Sequence, residues 1–239
     1  MKMNKTGISW TDYTWNPVSG CSKISEGCKF CYAEEWSRRF RRSFSVQEHF
    51  DRLKQIEKVP ARAKVFVNSM SDLFHEGVSE TMRDAVFSIM EKRKDVIFQI
   101  LTKRPKIMKD YLDRHDAWPT KNVWIGVSIE MRKYLDRMEI LKQTNGQIKF
   151  VSFEPLLEDI GYIDFSGISW VIIGGESGPH HRLMNIEWAR NIINQAKEQD
   201  VAVWMKQLGG LRPGGELEDF PEDLRIREFP RVKMEVWAR

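Results

Sequence analysis

Residues 96–101 read VIFQIL, and Thr102-Lys103-Arg104-Pro105 follows at once. A strand with one wet face alternates apolar and polar residues, whereas a strand covered on both faces is apolar almost throughout. VIFQIL is of the second kind, and so are WVIIGG at 170–175 and VAVWM at 201–205. Burial on both faces marks a parallel sheet, because its crossover connections lay helices over the strands.

The three segments define strands at Val96–Thr102, Trp170–Gly174 and Val201–Lys206. Similar runs predict strands at Lys64–Asn68, Asn122–Ser128 and Ile148–Phe153, with an earlier one inside Gly7–Val18. Amphipathic stretches separate them. Ser79 can cap a helix running to about Lys92, with Met82, Val86, Ile89 and Met90 on one face. Pro105 suits the first turn of a helix that closes at Tyr111–His115. Tyr32–Arg42, Met131–Gln143 and Ile186–Gln199 also read as helical. Strand and helix alternate about every 25–30 residues, the pattern of right-handed βαβ units. The expected fold is therefore α/β, a single-domain full or partial (β/α) barrel of six or seven parallel strands over residues 1–210. An irregular C-terminal extension, 211–239, follows, with a Pro213-Gly214-Gly215 turn, Pro221 and Pro230. Leu157–Ser169 is too short and too broken by glycine and aspartate for a crossover helix, so a doubly wound open sheet is the alternative.

Hydrophobic residues make up 41% of the 239 and charged residues 30%, as in ordinary globular domains. No apolar run nears the roughly 18 residues of a membrane span. Met1–Trp10 has neither the apolar core nor the cleavage site of a signal peptide. A cytoplasmic protein with no membrane partner is expected. The net charge of +4 is too mild to announce nucleic-acid binding. Basic residues nevertheless gather at Arg38-Arg39 with Arg41-Arg42, at Lys92-Arg93-Lys94, and at Lys103-Arg104 with Lys106. Each group reads first as a solvated helix end and second as a phosphate-facing patch. The nine tryptophans could stack on bases, although most read as core.

All three cysteines fall in one motif, Cys21-x6-Cys28-x2-Cys31. A secreted disulfide scaffold spreads an even number along the chain, so these read as ligands. A closed zinc site wants four protein donors, but there is no fourth cysteine, and the nearest histidine in sequence is His49. A [4Fe–4S] cluster held by three thiolates keeps one iron open for a substrate or cofactor. Zinc with a histidine or water as fourth ligand, and three inert cysteines, are the competing readings.

A polar cluster ends each expected strand: Asn68-Ser69 with Asp72, Thr102-Lys103-Arg104, Ser128 with Glu130, Glu154, Gly174-Gly175-Glu176, and Lys206-Gln207. Parallel α/β folds build their sites at strand C-terminal ends, so six such clusters predict one shared site. Gly174 and Gly175 suit either a close backbone approach to a ligand or a tight turn.

Three cysteines with an aromatic, Phe30, before the last, on a loop after the first strand of a (β/α) barrel, resemble the radical SAM superfamily signature. The superfamily's usual gaps are three residues and then two, whereas here they are six and two. TWNPVSGCSKISEGCKFCYAEE at 14–35, LTKRP at 101–105, FEPLL at 153–157 and IIGGESG at 172–178 are more closely similar to an uncharacterised phage-associated radical SAM-like family. That likeness runs from about Gly7 to about Gly210. It implies that Cys21, Cys28 and Cys31 ligate a [4Fe–4S] cluster whose open iron chelates S-adenosylmethionine. An electron from an external flavodoxin- or ferredoxin-type donor would then yield a 5′-deoxyadenosyl radical for hydrogen abstraction. By the same resemblance, Phe30 packs near the adenine, and Asn68, Ser69 and Asp72 hold the cofactor's amino group. The glycine-rich form usual there is absent. Arg104 takes the carboxylate, and Ser128 and Glu130 face the ribose and the amino acid end.

Glu154, Glu176 and Lys206 are candidates for substrate contact or proton handling. His180 and His181 read as polar loop residues. Nucleobase or nucleic-acid modification or repair is the expected function, on the motif, the basic clusters and the phage association. Radical SAM chemistry on a small metabolite or a peptide is the second reading, since no extra substrate domain is visible. A non-catalytic, zinc-stabilised binding module is the third. Delivery of the substrate by a partner protein is compatible with any of them.

Overall fold

Seven parallel strands follow one another around a curled sheet in the order in which the chain makes them. The computed structural model describes residues 5–212, 214 and 217–231. The Pro213-Gly214-Gly215 turn therefore lies partly outside the described residues, as does the start of Met1–Trp10. The strands are β1 Tyr13–Trp15, β2 Val18–Ser19, β3 Gln47–Glu48, β4 Lys64–Val67, β5 Ile97–Thr102, β6 Val123–Ser128, β7 Ile148–Phe153, β8 Trp170–Gly174 and β9 Ala202–Gln207. β2 and β3 pair antiparallel as a small separate ribbon. The other seven form the main sheet, every neighbouring pair parallel. Spatial order matches chain order, so no crossover reverses direction. This rules out the doubly wound alternative, which needs a switch point. No ladder joins β9 to β1 among the described residues, and the barrel is partial.

The helices are α1 Tyr32–Arg39, α2 Glu80–Lys92, α3 Pro105–Asp113, α4 Asp136–Lys142 and α5 Ile186–Glu198. Ser79 caps α2, its Oγ accepting from Met82 N at 3.1 Å. Pro105 opens α3. The helix expected over Met131–Gln143 is divided into a 3-10 turn, Arg132–Tyr134, and α4. The β2–β3 ribbon and a 3-10 stretch at Phe50–Lys58 carry no periodicity long enough to read from sequence.

The strands' two faces have different chemistry. Val65, Val67, Phe98, Ile100, Ile125, Val127, Val151, Phe153, Val171, Ile173, Val203 and Met205 pack outward under the helices. The inward rows are graded. Phe66, Trp124, Phe150, Trp170 and Trp204 meet Trp10 in a second apolar cluster at the strands' N-terminal side. Trp170 sits edge-on to Trp10, Trp124 and Trp204, with centroids 5.8–6.3 Å apart. Further along the same rows the residues become small or polar, from Trp124 through Gly126 to Ser128, and from Phe150 through Ser152 to Glu154. Gly126 is required there, since a Cβ would stand 2.6 Å from the Phe150 ring. The result is a closed aromatic floor beneath a polar bowl.

Leu157–Ser169 forms no helix, as expected, and instead straps across α5. Gln195 Oε1 accepts from Ile163 N at 2.7 Å and its Nε2 donates to Gly161 O at 2.8 Å, while Gln199 treats Phe165 N and Ile163 O alike. Ile160, Ile163 and Phe165 are buried under it. Part of the tail covers the exposed edge of β9. Met205 N donates to Ile226 O and Glu228 N to Val203 O, both at 2.8 Å. Phe220 and Leu224 join the core.

Candidate functional site

A cleft of about 1390 Å³ opens over the C-terminal ends of the strands, above the aromatic floor. One wall is the loop from Cys21 to Cys31, and all three cysteines line the cleft. The loop is held from several sides. Gly20, at φ +81°, runs so close to the next segment that a Cβ would lie 2.0 Å from Ser45 O. Cys21 N donates to Phe44 O at 3.1 Å. The Glu26 carboxylate binds Lys133 and Tyr134, and its backbone oxygen accepts from Arg182 Nη2 at 3.0 Å.

Glu130 anchors the underside of this loop. Its carboxylate is fully buried and meets Lys103 Nζ, Arg137 Nη1 at 3.0 Å and Ser25 Oγ at 2.7 Å. Lys103 Nζ also reaches Cys28 Sγ at 3.8 Å, and Arg104 Nη1 reaches Cys21 Sγ at 3.6 Å. Burial opposes ionisation of all three thiols. At Cys28 the Lys103 ammonium, helped by hydrogen bonds from the backbone and Ser25, outweighs burial and holds the thiol below its ordinary range. Burial, with the Asp72 carboxylate, pushes Cys21 up despite Arg104. Burial also pushes Cys31 up. Among the described residues, no three His, Cys, Asp or Glu side chains gather around a single point as donors to one metal ion.

The other expected residues fall around the same bowl, with unequal freedom. Asn68 turns out of β4 at φ +61°, is 2% exposed, and accepts from Val18 N through Oδ1 at 3.2 Å. Its Nδ2 has no partner. Ser69 Oγ donates to Asn16 Oδ1 at 3.2 Å, and its carbonyl accepts from the Tyr32 hydroxyl. Asp72 is fully engaged, accepting from Phe74 N, Thr102 Oγ1, Lys103 N and Arg104 Nη1. Arg104 is engaged too, with Nε on Glu76 at 2.9 Å and Nη2 on Ser22 Oγ at 2.9 Å. Its guanidinium thus clamps the Cys21 end of the loop. Ser128 lines the cleft, whereas Glu130 lies beneath the cysteine loop.

Across the bowl, Lys206 Nζ lies 2.8 Å from Glu154 Oε1, and Ser152 Oγ donates to Glu154 Oε2 at 3.1 Å. Gly174 leaves room for this carboxylate, since a Cβ would stand 2.4 Å from Glu154 Oε1. Gly175 is explained by the backbone just after β9, because its Cβ would meet Leu208 O at 2.2 Å. Glu176 is bound by Arg182, with Nε at 2.8 Å and the Arg182 backbone N at 2.9 Å. Phe30 packs at this end, its ring 5.7 Å from His180 and 5.3 Å from the Arg182 guanidinium. Arg182 and Ser152 were not singled out in the sequence. Ser152 carried a usable signal, lying two residues before Glu154 on the same strand row.

A family model described as "Protein of unknown function (DUF5131)" matches residues 5–228. The chain belongs to that family. No curated protein matches this DUF5131 chain in sequence. Among solved structures it is similar to spore photoproduct lyase. A single-cysteine mutant of that lyase superposes with a TM-score of 0.53 at 14% identity, over 83% of this chain and 64% of the lyase. A double mutant with bound AdoMet and dinucleoside spore photoproduct gives 0.51 at 13% identity, over 82% and 64%. At such identities the likeness is one of fold. The chain spans less than two thirds of the length of the lyase it matches.

Proposed function

We propose that this chain is a radical S-adenosylmethionine enzyme acting on a nucleobase or nucleic acid, in modification or repair. The observation that carries the reading is a three-cysteine loop forming one wall of a cleft at the C-terminal ends of parallel strands. The fold it shares with a lyase solved with AdoMet and a dinucleoside supports both the cofactor and the substrate class. The cleft, of about 1390 Å³, exceeds the range of about 300–1,000 Å³ for a single small-ligand pocket, which supports a site that takes both a cofactor and a substrate.

The donor set suits an iron–sulfur cluster. In a [4Fe–4S] centre each cysteine takes its own iron, so the thiolates need not converge, and N–H donors to sulfur balance the accumulated negative charge. Lys103 and Arg104 are such donors at Cys28 and Cys21. A single zinc ion requires its donors to converge on one point. Cys21, Cys28 and Cys31 would hold the cluster. When bound, the cluster and S-adenosylmethionine supply a 5′-deoxyadenosyl radical that abstracts a substrate hydrogen.

The chain's own residues bind and orient. The unpartnered Nδ2 of Asn68 is free to donate to the cofactor, beside Ser69 and Ser128. Phe30 offers a ring face toward the adenine. Asp72, Arg104 and Glu130 hold the loop that presents the cysteines, and Gly174 and Gly175 let the strand ends close up behind Glu154. The Glu154–Lys206 pair handles the substrate's proton, with Glu176 held ready by Arg182. The electron comes from a flavodoxin- or ferredoxin-type donor in the cytoplasm, and the enzyme belongs to a phage-associated branch of the superfamily.

Anaerobic reconstitution with iron and sulfide tests this reading. The expected result is a brown protein with about four irons per chain that forms 5′-deoxyadenosine from S-adenosylmethionine and dithionite. Stoichiometric zinc with no cofactor cleavage would overturn it.

A further inference from the structure

Helix α1 wears its aromatic residues on the outside. Tyr32, Trp36 and Phe40 are spaced four apart, on one helical face, and are 53%, 43% and 52% exposed. The residues α1 buries are the small Ala33 and Ser37. Rings at this spacing ordinarily face a core, and here they face water at the mouth of the cleft. Tyr32 and Trp36 line that mouth with Arg38, Arg39 and Arg42.

The charge beside the rings is uncompensated. Lys23 to Arg42 holds six basic and three acidic residues. The acidic ones are all taken: Glu26 by Lys133, Glu34 by Lys23, and Glu35 by Arg38. Arg39, Arg41 and Arg42 pair with no carboxylate among the described residues. The Trp36 and Phe40 rings sit 4.7 Å apart, and the Arg42 guanidinium lies 5.1 Å from the Trp36 ring. The Trp36 ring thus already carries a planar cation, a contact that a base would replace as Arg42 turns to a phosphate.

Protein-docking patches share this enrichment in aromatic residues and Arg, but they bury little uncompensated charge at their centre, whereas here arginines without a carboxylate partner stand among the rings. A duplex keeps its bases stacked on one another and offers none to a ring. Exposed rings interleaved with free arginines match an unpaired strand, whose bases stack on aromatics while its phosphates meet cations. We propose that α1 is a platform for single-stranded nucleic acid, stacking a base on Trp36 and Phe40 and taking phosphates on Arg39 and Arg42, so that a neighbouring base reaches the cleft. The platform rests on the proposed function only for what the cleft then does to that base.

The test is fluorescence anisotropy of the whole protein with a labelled oligonucleotide of about 12 nucleotides, as single-stranded DNA, single-stranded RNA and duplex DNA. A single strand should bind more tightly than the duplex at low salt, the DNA and RNA arms showing which strand is preferred. Trp36→Ala combined with Phe40→Ala should weaken binding by about 5- to 160-fold, with no change in melting temperature. Arg39→Ala with Arg42→Ala should reduce the salt slope by about 1.4. Single-strand binding unchanged in the ring variant, or a preference for duplex, would overturn the platform. Reconstitution run in parallel separates the two proposals. Absent single-strand binding with cofactor cleavage intact overturns the platform alone. Ring-dependent binding by a protein that takes up no iron supports the platform and overturns the enzyme reading.

Discussion

Gly27 and Glu130 are in contact, so closely that a Cβ on Gly27 would stand 2.4 Å from Glu130 Cγ. The Glu130 side chain cannot swing away, because Lys103, Arg137 and Ser25 hold its carboxylate in a fully buried position. The last residue of the first cysteine gap is thereby fitted to one just past the end of β6, more than a hundred positions away. The cysteine loop takes its shape from that fit.

Gly27→Ala should therefore destabilise the protein by about 1–3 kcal/mol, the usual range for overpacking a filled site. Urea unfolding measures the stability, and iron bound per chain after reconstitution measures the loop. Normal values of both would show that the contact does not shape the loop.

Glu130→Gln keeps the side-chain shape but leaves Lys103 and Arg137 facing a neutral group. Removing one partner of a buried ion pair costs about 3–5 kcal/mol. The same unfolding assay should show a loss in that range, larger than that of Gly27→Ala.

Glu154→Gln and Lys206→Met break the 2.8 Å pair across the cleft. Each should reduce substrate turnover by about 100-fold or more, the scale of lost proton transfer. Iron content should match that of the wild type. Unchanged turnover would remove the pair from the chemistry.

Arg93 chelates Asp95 through Nε and Nη2, both at 2.8 Å, and ties it to the Ile56 and Val59 carbonyls. Hydrogen bonds from Arg93 hold the Asp95 carboxyl below its ordinary 3.8 against partial burial. A depressed folded-state value stabilises above the unfolded value and loses that stabilisation as pH falls through the folded one. The pair is partly exposed, so Asp95→Asn should cost about 0.5–1 kcal/mol at neutral pH. The variant and wild-type stability curves should converge below about pH 4. A constant offset into acid would contradict this.

Leu224 is fully buried, although it lies in the tail beyond β9. Leu224→Ala should cost about 2–5 kcal/mol in thermal or urea unfolding, as for a core leucine. A loss near zero would mean that the tail only rests on the barrel edge.

Much of the fold was legible because its signals are local. Ile148–Phe153 and Trp170–Gly174 have the same ends in the structure as in the sequence reading, since unbroken apolar runs need no distant information. Ser79 and Pro105 mark helix starts for the same reason. The split in Met131–Gln143 was hidden, because a 3-10 turn and an α-helix place apolar residues at similar spacing. The unequal freedom of the strand-end residues was hidden as well. Asn68 and Arg104 look equally available in sequence, yet Asn68 keeps an unpartnered Nδ2 while the guanidinium of Arg104 is wholly engaged.

By itself the sequence determined a parallel α/β chain, the spacing of its strands and a single tight group of three cysteines, because each is written in residues a few positions apart. Only the tertiary structure decided that the strands run in chain order around a partial barrel. It also decided that the inward rows grade from tryptophan to serine and glutamate, and that Glu130 sits beneath Gly27. Those outcomes depend on which strand lies beside which, and on volumes shared by side chains distant in sequence. No local pattern records either.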